Sequence, residues 1–568
     1  MEVMVDLPDE INRLVTRLET LERRVYVLEH PAGVSSPLPV QEPGSFPAAQ
    51  AGEKLSGSLT GGVFPVLGKA MLGIAGAYLL RAVAESSSLP RTAVAAVAIL
   101  YALAWLVWAS RAKAGDWLAG TTYACTSALI LAPMLWELTL RFSVLPAPLT
   151  AGVVCGFVIA ASALAWKRDF APVLWVANVT GIAIALSLSI ATHQMTPFIA
   201  LLLLMVLICE YGVVRDRETG VRVLVALAAD VAIWALIYIY ASPQSTRGNY
   251  PSLSTATLLA PGLGLFLILG VSLIYRTVLK GKTITVFETI QTMIAFLLAA
   301  CSLIYFGPPA SATALGIFCV ALSGAGYAAA LVHFDRAAER RNYFVFATWS
   351  AALFLAGTLL CLPTFWQGPW LSVAAVVATF AGVRLRRLAL QLHGVVFLLA
   401  AATVSGLLNY IFSALAGALP GAPGWGIYLV SACAVLCYAV VKPCREESWR
   451  RQFLSIVVAA LAVCAAAALL VEGLVGLVAL GIIPAAHHLA FIRTFTLCAT
   501  AIALAFSGSH WRRMELTRIG YATLALLAVK LVLEDLRHGH LEFIAASIFL
   551  FAITLIVVPR VARLLPKS

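Results

Sequence analysis

The chain has 568 residues, of which 61% are hydrophobic and 12% charged, and a formal net charge of +12. Soluble domains carry about 25% charged residues, so this chain cannot coat several globular domains with a solvated surface. Disorder is excluded too, because it needs low hydrophobicity and high charge. Composition leaves an all-α polytopic membrane protein.

The predicted elements begin with a short amphipathic helix over 8–29. Its apolar residues Ile11, Leu14, Leu18, Leu21, Val25 and Leu28 alternate three- and four-residue steps, the a/d seam of a heptad repeat. Pro8 suits a first helical turn and Pro31 stops the helix. With Ile11 at a, Arg17 and Arg24 take g positions, and Glu22 and Glu29 the following e positions. A parallel coiled coil would pair them, making this head an oligomerisation element. The other reading is a single helix lying on the membrane or on the protein's own cytoplasmic face. Both stay open. The first ten residues are acidic and lack an apolar run, so they do not read as a signal peptide. Residues 31–60 are rich in Pro, Gly, Ser and Ala and read as a flexible linker. The organisation is therefore a heptad helix over 1–30, a linker over 31–60 and a membrane domain over 61–568.

A span of about 20 apolar residues crosses the hydrocarbon core, and the membrane domain contains eighteen candidates. The first nine lie near 62–84, 90–110, 117–140, 145–166, 170–191, 196–214, 221–241, 253–276 and 284–306. The second nine lie near 308–333, 343–362, 368–384, 389–413, 424–442, 453–472, 487–508, 519–536 and 541–559. Alternation of the barrel type is missing, so these are helices. With the N-terminus inside, the inner loops carry 26 of the 39 Lys and Arg residues and the outer loops five. The positive-inside rule then places both termini in the cytoplasm. The basic excess is a topology signal and implies no nucleic-acid partner. The basic clusters recur at intervals that read as tandem hairpins, each with a short, nearly uncharged outer turn. Gly262, Gly264, Gly324 and Gly326 read as ordinary transmembrane glycine.

Eleven cysteines lie mostly inside apolar runs, and no CxxC pair occurs. They read as small buried hydrophobes. Ionisable residues inside a span are functional candidates by default. Asp230, near the middle of its span, is the first candidate for a proton or cation site. Lys69, Arg493 and Lys530 are the cations within spans, and Glu137, Glu210 and Glu288 lie near span ends. The plainer reading of these end residues and of Lys69 is snorkelling or structural pairing. Lys530 and Glu534 share a helix face, so an Arg493–Asp535 or Lys530–Glu534 cluster is expected, and its plainer role is to fix the terminal hairpin. On the outer side Glu534, Asp535, His538, His540 and Glu542 crowd one turn, with His487 and His488 opening onto the same side. These could ligate a divalent ion, although a polar turn gives the same text and no HExxH motif is present.

Several segments together resemble a known family. They are Leu21-Glu22-Arg23-Arg24-Val25 ahead of a Pro/Gly linker, a Gly-rich first span carrying Lys69, and Arg493-Thr494 opening a late span. The stretch Leu526–Leu536, with Lys530 and Asp535 in a K-x-x-x-x-D spacing, completes the set. The chain thereby resembles the bacterial membrane-protein family called domain of unknown function 2339. The resemblance implies a multi-pass topology in a bacterial inner membrane and nothing catalytic.

No outer loop is long enough for a substrate domain, and no GxSxG, HExxH, Walker A or GxGxxG occurs in a supporting context. An enzyme is the least favoured class, and no cofactor is implied. A transporter- or channel-like protein for a small solute or ion heads the list. Helices broken near Pro172, Pro261 or Pro363 would support it. A non-catalytic membrane scaffold assembled through the head is the alternative. An enzyme acting on a lipid-linked substrate is third.

Overall fold

The computed structural model of the protein describes residues 64–562, apart from 86–89, 113–116, 169, 218–219, 244–247, 335–339, 418–420, 442–448, 480–484 and 536–540. The heptad residues Ile11, Leu14, Leu18, Leu21, Val25 and Leu28 and the 31–60 linker lie outside the described residues. Residues Met1–Gly68 and Lys69–Ser568 form separate compact units. Only the opening turn of α1 is described in the first, and all that follows concerns the second.

The described residues form nineteen α-helices. The first seven are α1 (Phe64–Glu85), α2 (Arg91–Ser110), α3 (Trp117–Trp136), α4 (Ala147–Arg168), α5 (Ala171–Ala191), α6 (Met195–Val214) and α7 (Val221–Ala241). The next six are α8 (Thr255–Ile274), α9 (Val286–Phe306), α10 (Ser311–Ala328), α11 (Arg340–Cys361), α12 (Thr364–Arg384) and α13 (Leu388–Val404). The last six are α14 (Leu407–Ala416), α15 (Trp425–Val440), α16 (Trp449–Ala479), α17 (Ala485–His510), α18 (Met514–Lys530) and α19 (Leu541–Ala562). Seventeen of the eighteen expected spans coincide with one helix each. The span expected at 389–413 is instead a pair, α13 and α14, bent by 68°. Among the described residues, 14 helices are long and apolar enough to cross a membrane, or 15 with the bent pair. Large apolar side chains such as Leu72, Ile190, Val271, Val377 and Phe549 stand exposed along them. Water would penalise so much exposed apolar surface, whereas lipid does not.

The break between α13 and α14 contains no proline. Gly406 there adopts φ +77°, a left-handed conformation that suits a residue without Cβ. Breaks near Pro172, Pro261 or Pro363, which would have supported a transporter, are not what these prolines make. Pro172 lies in the first turn of α5 and Pro363 is the N-cap of α12, where a missing N–H costs nothing. Helix α8 continues through Pro261.

Helices pack mainly on neighbours one to three places away in the chain. Among consecutive helices the most extensive pairings are α12 with α13, α10 with α11, α8 with α9, α17 with α18 and α2 with α3. Each of these pairs closes at a basic connection, so the tight hairpins turn on the basic side and not on the uncharged side as expected. Glycine is the physical reason. A Cβ on Gly262 would stand 3.0 Å from Ala299 Cα across α8–α9, and one on Gly316 would stand 2.7 Å from Cys361 N across α10–α11. Small residues let backbones approach, and dispersion then holds helices that lipid cannot drive together. Gly262 and Gly326 thus have packing roles, while a Cβ on Gly324 would meet nothing.

Among the described residues, four segments wind as π-helix: Glu137–Arg141, Tyr275–Leu279, Ala329–Phe334 and Leu531–Asp535. Each continues the helix before it. Their i→i+5 bonds change which residues share a face, and two of them supply charges to the clusters below.

Candidate functional site

The sequence of α7 places Arg222 in its first turn and Asp230 tenth among its 21 residues. The two lie about 12 Å apart along the helix, at 1.5 Å per residue. Their surroundings differ.

Arg222 grips Glu210 of α6 with two parallel bonds. Nε donates to Oε1 at 2.6 Å and Nη2 to Oε2 at 3.0 Å. Its remaining nitrogen Nη1 donates to Glu288 Oε1 of α9 at 3.1 Å. Arg276, in the π segment after α8, pairs with the same Glu288 oxygen. Ser272 of α8 donates to Glu210 Oε2 at 2.5 Å. Local sequence fixes Glu288: it is the N3 residue of a capping box, accepting from Thr285 N through Oε2 at 2.9 Å. Glu210, Arg276 and Glu288 are buried. The cluster contains two cations and two carboxylates, so it is neutral, and its charge-assisted bonds are of the strong kind. α6, α7, α8 with its π segment, and α9 converge on it.

Asp230 has a different partner. The amide of Gln291, on α9, donates to Oδ1 at 3.0 Å and to Oδ2 at 2.8 Å. Asp230 is 7% exposed and Gln291 2%. No cation among the described residues pairs with Asp230. An ionised carboxylate at this depth therefore has hydrogen bonds but no counter-charge, and burial of a charge without one is unfavourable.

The second cluster ties α14, α17, α18 and the π segment after α18. Arg493 Nη1 donates to Glu534 Oε1 at 2.7 Å, and Lys530 Nζ lies 3.6 Å from Glu534 Oε2. Lys530 also pairs with Asp535 and donates to Ala490 O and Thr494 Oγ1, each at 2.6 Å. Thr494 Oγ1 in turn donates to Asp535 Oδ2 at 2.6 Å. The expected Lys530–Glu534 contact is present, whereas Arg493 meets Glu534 and not Asp535. In an α-helix, residues five apart point in different directions. The π winding of Leu531–Asp535 brings Asp535 round to Lys530. Arg493 is 2% exposed and also closes the end of α14. It donates to Ala414 O at 2.7 Å and Ser413 O at 2.9 Å, and to Gly417 O. A cation on those carbonyls complements the helix dipole.

Lys69 is exposed on α1 and pairs with no acid among the described residues. Glu137 meets Arg81 at 2.8 Å. His538 and His540 lie outside the described residues, and of His487, His488 and Glu542 only the helical backbone is described. No metal-holding group of His, Cys, Asp and Glu occurs among the described residues.

Sequence reasoning counted Arg222 and Arg276 as loop charges and overlooked Gln291, although its position one turn after Glu288 was a usable signal. It also overlooked the buried His393, whose Nδ1 lies 3.0 Å from Tyr327 Oη, and the Tyr410–Glu472 pair. No protein-family model, curated protein or solved structure matches the chain.

Proposed function

We propose that the protein is a multi-pass membrane protein of about eighteen spans that binds a proton or a monovalent cation at Asp230 and Gln291, in a transporter- or channel-like role. One observation supports this reading above the others. Asp230 lies at the middle of a membrane-length helix, and its only partner among the described residues is a neutral amide. Every other buried acid described above faces a cation or a hydroxyl. The orientation we favour has both termini in the cytoplasm of a bacterial cell, on the strength of the loop charges and the family resemblance of the head and residues 493–536.

Thermal unfolding of the purified full chain tests the reading. Wild type and Asp230→Asn would be scanned across pH 5–9 with and without sodium or potassium. A ligand that binds only the folded state at 100 times its Kd stabilises it by about 2.7 kcal/mol. The expected result is a stabilisation by cation or by acid that Asp230→Asn abolishes. A cation effect at constant pH identifies a metal ion, and a pH effect indifferent to sodium and potassium identifies a proton. Identical responses in both proteins would sink the reading.

A scaffold role is the second reading, and the closed, neutral clusters at Arg222 and Arg493 favour it, since they fix helices without leaving a charge to use. That reading assigns assembly to the heptad head, and deletion of residues 1–30 would then dissolve an oligomer.

A further inference from the structure

Two hairpins far apart in the chain repeat each other. Ala375, Phe380, Gly382, Arg386, Arg387, Leu390, Gly394 and Leu398 have identical counterparts 126 positions on, the distance from Gly382 to Gly508. These are Ala501, Phe506, Gly508, Arg512, Arg513, Leu516, Gly520 and Leu524. Alanine and leucine matches are common in apolar helices, so the weight rests on the glycines, arginines and phenylalanine.

The geometry repeats with the residues. Arg386 and Arg512 adopt φ of +56° and +54°. Arg387 N donates to Gly382 O and Arg513 N to Gly508 O, both at 2.9 Å, the 6→1 bond of a Schellman ending. A Cβ on Gly382 would meet Gln391 N at 2.7 Å, and one on Gly508 would meet the equivalent Thr517 N at 3.0 Å. Gly394 faces Ala375 O and Thr379 N, and Gly520 faces the equivalent Ala501 O and Ala505 N. A third turn, Gly212 to Arg217, has the same 6→1 bond with Asp216 at φ +62°. Val221 and Leu224 stand there at the places of Gln391 and Gly394. The turn alone is therefore a general device, and the helix contacts beyond it mark the repeat.

The resemblance extends to a polar position near the start of each hairpin. Gln367 Nε2 donates to Leu359 O at 3.1 Å and Leu362 O at 2.9 Å, at the carbonyl end of α11. Its counterpart is Arg493, which closes the carbonyl end of α14 through Ser413, Ala414 and Gly417. The second helices also depart from α geometry at one place. Ser405-Gly406 ends α13, and Leu531, the counterpart of Ser405, begins the π segment.

We propose that α12–α14 and α17–α18 with its π segment are two copies of one unit, in which Gln367 and Arg493 are equivalent clasps on the carbonyl end of an earlier helix. In the second copy Glu534 ties the clasp to its own hairpin. Arg493 and Glu534 thereby latch α14, a half-helix that hinges at Gly406 and is also held through Tyr410 to Glu472. Release of the latch frees the far end of α14 to swing about Gly406. The proposal is independent of the Asp230 reading.

Hydrogen–deuterium exchange of the full chain in lipid nanodiscs tests it, read at the amides of 410–417. A bond to a charged group is worth about 1.5–3 kcal/mol, so Arg493→Met should speed local exchange by about tenfold or more. Arg493→Gln, which installs the first copy's residue, should keep most of the protection. Gln367→Leu should speed exchange near 359–363 and leave 410–417 unchanged. Glu534→Gln keeps the arginine and loosens only the tie, and serves if Arg493→Met does not fold. Unchanged exchange at 410–417 in both Arg493→Met and Glu534→Gln would overturn the latch. Equal loss of protection in Arg493→Gln and Arg493→Met would overturn the equivalence of the two clasps.

Discussion

Arg222 and Asp230 occupy the same helix and both face α9, Arg222 half-buried and Asp230 buried. Arg222 sits in a group whose charges cancel, held by Glu210, Glu288, Arg276 and Ser272. Asp230 has only the amide of Gln291. The difference separates structural charge from usable charge. A balanced cluster is at rest in the folded state and resists change. A carboxylate without a counter-charge changes its free energy whenever a proton or cation arrives.

The strongest way to break the comparison is Arg222→Leu. It leaves Glu210 and Glu288 facing each other across α6, α7 and α9 with one cation fewer. Removing one partner of a buried ion pair costs about 3–5 kcal/mol, and thermal unfolding in detergent should show a loss of that size or a failure to fold. Gln291→Leu comes next. It removes the amide that donates to Asp230 and should destabilise by about 1–3 kcal/mol. That loss should shrink when Asp230→Asn is combined with it, because the group left unsatisfied is then neutral.

Asp230→Asn alone sharpens the comparison. It preserves shape and a hydrogen-bonding partner, so stability at neutral pH should move by less than about 1 kcal/mol, while the cation or pH response disappears. A large destabilisation would mean that the carboxylate belongs to the balanced, structural class.

The smallest effect is expected at the surface. Asp216 pairs with Lys282 and lies 3.5 Å from Lys280. The hydrogen bond from Lys282 holds its carboxyl below the ordinary value of 3.8, opposed by desolvation and assisted by the charges of Lys280 and Lys282. A lowered folded-state value means stability that is present above the unfolded value and lost as pH falls through the folded one. Wild type should therefore lose slightly more stability than Asp216→Asn below about pH 4. Added salt should erase the difference, because exposed pairs are screened.

Much of the fold was legible in one dimension. Apolar runs of helical length located the helices, because a backbone segment in lipid must satisfy its own hydrogen bonds. Asp230 was legible as a candidate because a single acid inside VALAADVAIW needs no partner to stand out. Lys530 and Glu534 were legible from their i, i+4 spacing. Gln291 was harder to read, because an uncharged amide in a span stands out less than a charge, and only its place one turn after Glu288 pointed to it. The Lys530–Asp535 contact rests on π winding, which spacing rules built on 3.6 residues per turn cannot express. The break at Gly406 was equally hidden: Pro172, Pro261 and Pro363 start or continue helices, and a glycine makes the turn.

The residues alone determined that this chain is helical and apolar and where its helices lie, since each helix satisfies local requirements of hydropathy and hydrogen bonding. Partner choice belonged to the tertiary structure. Which hairpins close tightly depends on glycines that meet across helices, as Gly316 meets Cys361. Which carboxylate meets a cation and which a neutral group depends on contacts between residues more than 60 positions apart, as for Arg222 with Glu288 and Gln291 with Asp230. Burial is a property of the packed helices, and it is what sets Asp230 apart from an ordinary aspartate.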